Sequence, residues 1–293
     1  MCTYKYLYTK MKLALLITTS LTLIFYSSVA HANEEMMMKV NNPPPHRRIA
    51  SKATKRSKSV DRSKSSKNSM KNKTKTLNLR IINQTYQQPL SGFFVMVHNN
   101  NATPLYVRGD RNTPASDALI QLAENGNPGH LVAMYDGVDV EGVKPSSAMM
   151  HFNDHTGGPT LPGASTTIEV EVDDMYPLVT IAAMAVNTND CFVSMNGVDL
   201  YSNDDNEVLV LDLPGLDAGS EPNNELCACV PGPNCVDENG DTLNVDEENN
   251  TVCDGDGEGF VHVHRGIQQI GDVDRIGGDA DWRNPMVRVV INY

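Results

Sequence analysis

Residues 166–172, TTIEVEV, constrain the fold class more tightly than any other stretch of the chain. Ile168, Val170 and Val172 alternate with Thr167, Glu169 and Glu171. Successive side chains of a strand point to opposite faces, so this segment is a strand with one dry face and one wet face. A dry face needs a second apolar layer to cover it. Comparable β patterns recur at residues 91–99, 178–186, 191–195, 207–213, 259–264 and 285–293, each bounded by turn-forming residues. In the first of these, Phe93, Val95 and Val97 alternate with Phe94, Met96 and His98, so both faces are partly apolar and the strand is central. Helical spacing is confined to short connectors at 115–124, between Thr113-Pro114 and Asn125-Gly126, and at 130–135. The pattern predicts an all-β, two-layer antiparallel β-sandwich with short connecting helices. No G-x-G-x-x-G follows a strand and no P-loop is present, which argues against a doubly wound nucleotide-binding fold.

The ends of the chain have a different composition. Residues 13–29 are apolar, preceded by Lys5, Lys10 and Lys12 and followed by Ala30-His31-Ala32. This is the layout of a signal peptide over residues 1–32, with Met11 as an alternative start. The competing reading is a membrane anchor, for which 17 residues containing Ser and Thr are short. No later stretch is apolar enough to span a bilayer, so the chain is expected to be secreted, with no transmembrane span after cleavage. Residues 33–80 are rich in Lys, Arg, Ser and Asn and poor in large apolar side chains, so they read as a basic disordered arm. The folded domain is placed at 81–293.

Charge divides the same way. Between Lys39 and Arg80 lie 14 of the 24 Lys and Arg residues, against one acid, Asp61. Beyond Arg80 there are 7 basic residues and 33 acidic ones, a net charge of −26. A domain so acidic repels nucleic acid, whereas the arm suits polyanions such as acidic glycans.

Cys191, Cys227, Cys229, Cys235 and Cys253 remain after the leader is removed. The last four fall in an acidic Gly/Pro/Asn-rich insertion at 227–256, where disulfides would fix a loop with little core of its own. A bridge between Cys227 and Cys229 is sterically poor, so these two reach Cys235 and Cys253 in one order or the other. Cys191 is expected to be buried and free. The spacing lacks a C-x2-C knuckle and does not favour zinc.

Several pieces together, SGFFVMVHN, SDALIQLAENG, GGPTLPGASTTIEVEV, TIAAMAVNTNDCFVSMNGVDL, LPGLDAGSEPNNE, EGFVHVHRGI and DWRNPMVRVVI, resemble the spondin amino-terminal domain family of secreted matrix and microbial exported proteins. The resemblance implies a β-sandwich similar in shape to C2 domains, with calcium held by acidic loops at one edge. It also implies a secreted or surface-associated binding and adhesion module, with extracellular matrix, a surface protein or a polyanionic glycan as partner. The matching acidic positions are Asp190, Asp217 and Glu221. The insertion departs from the matrix members and puts their partner surfaces in doubt.

Asp190 and Asp217 lie at strand ends, and calcium favours several hard oxygens drawn from irregular loops. The competing reading is that each caps a turn through backbone amides. A second acidic group, Asp237, Glu238, Asp241, Asp246, Glu247, Asp254, Asp256 and Glu258, lacks EF-hand spacing and reads as a solvated insertion. His262 and His264 are two apart, so on a strand their imidazoles share a face, about 7 Å apart. They would bind zinc or copper only with a third ligand from another strand. A secreted metal-dependent enzyme built on this His-x-His strand is the alternative function. With no G-x-S-x-G, no H-E-x-x-H and no nucleophile cysteine motif, the sequence itself offers no enzyme. Trp282, the only tryptophan, reads as a core plug before the closing strand.

Overall fold

In a computed structural model describing residues 73–137, 140–203, 207–231, 253, 255–272 and 283–293, the alternating segments are strands. Ten strands lie among these residues: β1 Lys75–Asn83, β2 Phe93–His98, β3 Met149–His151, β4 Ser165–Val172, β5 Leu178–Met184, β6 Cys191–Asp199, β7 Val208–Leu213, β8 Gly215–Asp217, β9 His262–Val263 and β10 Val287–Asn292. Two short helices, α1 Asp117–Asn125 and α2 Gly129–Tyr135, connect β2 to β3. The described residues belong to one unit, Asn68–Tyr293.

The strands form two antiparallel sheets, β4-β1-β10-β7 and β3-β2-β5-β6-β8-β9. This is the two-layer sandwich expected from the alternation. Ile168, Val170 and Val172 of β4, Leu77, Leu79 and Ile81 of β1, and Val287, Val289 and Ile291 of β10 form the dry face of the smaller sheet. They pack on Phe93, Val95 and Val97 of β2, Val179, Ile181 and Ala183 of β5, and Cys191, Val193 and Met195 of β6.

The larger sheet is dry on both faces, which is why β2 and β5 lack polar alternation. On its outer face Phe94, Met96, Ala182, Phe192 and Leu216 meet Leu119, Leu122 and Ala123 of α1 and Leu131 and Tyr135 of α2. The helix α1 starts where Ser116 accepts the Leu119 N–H at 3.3 Å and stops at Gly126, whose φ of 64° suits glycine.

One boundary differs from the sequence reading. The strand β1 begins at Lys75, inside the stretch assigned to the arm, and pairs with both β4 and β10. Thr76, Asn78 and Arg80 are its wet face, so basic and polar composition concealed a strand at the centre of its sheet. The leader, the rest of the arm, Cys235, Trp282 and the acidic residues 237–254 lie outside the described residues. Among those described, no helix is long and apolar enough to cross a membrane.

Candidate metal centre

Strands β6, β8 and β9 are consecutive at one edge of the larger sheet. Their register sets Asp217 opposite Cys191 on one side and opposite His262 on the other. Neither β8 nor β9 has enough residues to show a period, so only the fold reveals the pairing. Residues 218–225 then turn back over the β5–β6 turn. The Ala218 N–H donates to the Asp190 carbonyl at 3.2 Å, and Glu225 N–H donates to Asn189 Oδ1 at 3.2 Å.

Asp217, Glu258 and His262 present three ligand atoms within 4.8 Å of one another. His262 Nε2 lies 3.4 Å from Asp217 Oδ1 and 3.7 Å from Glu258 Oε2. It is shielded from solvent and makes no hydrogen bond. An imidazolium bonded to a carboxylate would stand at about 2.7–2.9 Å. Atoms bound about 2.0–2.6 Å from one ion, at a right angle or slightly more, lie about 3–4 Å apart, the separation seen here.

The neighbouring bonds suit the same role. His262 Nδ1 lies 3.1 Å from the Val263 carbonyl; donation there leaves a lone pair on Nε2 facing the two carboxylates. Asn223 Nδ2 donates to Asp217 Oδ2 at 2.7 Å and to Glu258 Oε1 at 3.2 Å. One amide thus holds the far oxygens of both carboxylates and leaves the near ones turned to His262. Asp217 is buried, His262 half-buried and Glu258 exposed, so the group opens to solvent on the Glu258 side.

Behind the triad stand further carboxylates. Asp190 Oδ2 accepts from Ser220 N–H at 2.8 Å, Ser220 Oγ at 3.1 Å and Glu221 N–H at 3.2 Å, while its Oδ1 is buried without a hydrogen bond. Burial, and then the charge of Asp217, push the Asp190 carboxyl up to about 7. Burial, and then the charge of Glu124 at the end of α1, push Glu221 up to about 9. Burial also raises Asp217. These shifts have one meaning: negative charge has accumulated out of water faster than hydrogen bonds offset it.

The fold therefore brings Asp190, Asp217 and Glu221 to one edge and adds His262 to them. The acidic set and His262 thus share one neighbourhood. His264 is near His262 but is not one of the three: it follows β9, buried, with Nδ1 accepting the Gly266 N–H at 2.9 Å. Burial, then the neighbouring His262, lower it to about 4. The companions that His262 lacked in the sequence are Asp217, from another strand, and Glu258, four residues before it. Glu258 had read as part of a solvated insertion.

This overturns the expectation that the chain offers no enzyme. That reading rested on linear motifs, whereas the Asp217/Glu258/His262 triad is assembled from separate segments and has donors capable of holding a metal ion. Of the cysteines, Cys229 pairs with Cys253, Cys227 is also disulfide-bonded, and Cys191 is free and buried.

Two glycines let the segments meet. A Cβ on Gly219, whose φ is +70°, would stand 2.5 Å from the Phe260 carbonyl oxygen, and one on Gly257 would stand 2.4 Å from the Gly219 oxygen. Gly219→Ala is expected to push residues 257–262 away and to weaken divalent-metal binding about 10- to 100-fold. Gly163→Ala is the control, since Gly163 has a similar φ of +73° with nothing within 4 Å. Calorimetric titration of both variants checks this; equal metal affinity would refute it.

Compared with known proteins, the chain matches no family model and no curated protein.

Proposed function

We propose that this chain is an exported metal-dependent enzyme of hydrolytic type, with Asp217, Glu258 and His262 holding a divalent transition-metal ion. One observation carries the reading: His262 Nε2, without a hydrogen bond, faces a carboxylate oxygen of Asp217 on the adjacent strand at 3.4 Å and one of Glu258, four residues before it, at 3.7 Å. A divalent ion bound there would supply Lewis acidity toward a carbonyl or phosphoryl oxygen. The chain's own residues do the positioning. Cross-strand pairing fixes Asp217 and His262, Asn223 aligns both carboxylates, and the exposed Glu258 marks the side from which a substrate enters.

A second reading is favoured by the buried, unbonded Oδ1 of Asp190 and by Glu221 beside it, which are hard oxygen donors. Here the ion is calcium, and the domain is a spondin-like binding or adhesion module whose charged loops the ion ties together. The motif pieces named above support this reading.

Metal content after dialysis against calcium, manganese and zinc, on the full chain and on His262→Ala, separates the two. The first reading expects transition metal at one per chain, lost in His262→Ala. It also expects chelator-sensitive turnover of aryl ester or phosphate substrates. The second expects calcium at one per chain, indifferent to His262→Ala. No bound metal of any kind would end both.

A further inference from the structure

The loop of residues 107–113 is fastened to the metal-centre segment by the Gly109 N–H, which donates to the Val261 carbonyl at 2.7 Å. This brings Arg111 over the Phe260 ring, with the guanidinium carbon 4.7 Å from the centroid. The same ring lies 5.2 Å from the His262 imidazole, tilted by 49°. Guanidinium, phenyl and the triad's imidazole thus follow one another, the ring in contact with both.

Arg111 is exposed and has no ion pair among the described residues. The acid beside it in sequence, Asp110, is already engaged by Asn112 N–H at 3.0 Å, Asn112 Nδ2 at 3.1 Å and Thr113 Oγ1 at 2.8 Å. In a domain with 33 acidic side chains against 7 basic ones beyond Arg80, an arginine that is positioned yet has no ion pair among the described residues is conspicuous. Contact with the phenyl face does not consume the guanidinium N–H groups, which stay available as donors.

We infer that Arg111 is a specificity-determining residue that binds an oxyanion group, carboxylate or phosphate, of the ligand that engages the metal centre. The inference rests on the metal-centre reading and deepens it by naming the ligand's chemical class. The acidic surroundings otherwise repel anions, so recognition of one needs both the ion and a fixed cation, here held across the Phe260 ring from His262. Phe260 acts as the positioning residue, since it supports Arg111 and His262 together.

The test uses the full chain loaded with Mn2+, with inorganic phosphate and acetate as separate probes and metal stoichiometry measured in each sample. Arg111→Met is expected to weaken anion binding about tenfold, with Mn2+ stoichiometry unchanged, and Arg111→Lys to recover part of the loss. Binding of phosphate alone assigns a phosphate ligand, and binding of acetate alone a carboxylate one. Equal anion affinity in wild type and Arg111→Met, or no anion binding by the Mn2+-loaded wild type, overturns the inference while leaving the metal centre standing. Zero Mn2+ stoichiometry in the wild type removes the metal centre and the inference with it.

Discussion

Without metal, the protein is expected to melt about 10 °C lower at pH 9 than at pH 6, and saturating divalent metal is expected to remove most of that difference. The sign follows from where protons bind. Asp190 and Glu221 are pushed from ordinary values of 3.8 and 4.5 up to about 7 and about 9, first by burial and then by neighbouring carboxylates. Between those limits the folded chain holds protons that the unfolded chain has released, so stability falls as pH rises. The contribution is complete below the unfolded values and is lost through about 7 and then about 9. His264 acts in the opposite direction and elsewhere. Lowered by burial from 6.5 to about 4, it adds stability above 6.5 that is lost as pH falls toward 4. A scan from pH 7 to 9 therefore excludes His264, and a Cys191→Ser variant removes the thiol, which burial also raises and which would act with the same sign near pH 9. A bound ion replaces the protons, so its stabilising effect grows with pH. Melting curves in chelator and in metal across this range check the claim. A flat metal-free profile would show that these carboxylates ionise without cost and that no cation is required.

The sandwich was legible because its evidence is local. Ile168, Val170 and Val172 declare a face within a few residues, and the same holds for Val287, Val289 and Ile291. Strand β1 was missed for a local reason too: its alternating Leu77, Leu79 and Ile81 sit within a basic, polar composition that suggested an arm. The metal centre was half legible. Asp190 and Asp217 stood out as acids at strand ends, Glu221 entered only through the spondin resemblance, and His262 stood out as one of a histidine pair. What joined them was invisible, because it depends on the His262–Asp217 register of a three-residue strand with a two-residue strand. It also depends on a backbone approach at Gly219 and Gly257 that carries no side-chain signal. His264 follows β9, where its N–H still donates to the Gly215 carbonyl at 3.0 Å, and its buried Nδ1 accepts from Gly266 instead of joining the three ligand atoms.

The substitution Asp190→Asn is expected to act with opposite signs in the two states of the site. In the wild type, Asp190 Oδ2 accepts three hydrogen bonds from Ser220 and Glu221, while buried Oδ1 makes none. An asparagine keeps one acceptor for those donors and replaces the unbonded oxygen with an NH2 group facing the other carboxylates. It also removes a charge whose burial is opposed by several kcal/mol at pH 8. The metal-free variant should therefore melt about 5–10 °C above the metal-free wild type at that pH. With metal the order reverses, because the charge that destabilised the empty site is part of what attracts the cation, and the variant should bind it at least about tenfold more weakly. Fluorimetric melting with and without metal, together with a calorimetric titration, gives both readings on one sample. An ordinary structural role, in which Asp190 merely caps the 218–221 turn, predicts a loss in both states or no change in either. Only a carboxylate retained for a cation gives stabilisation in one and weakening in the other.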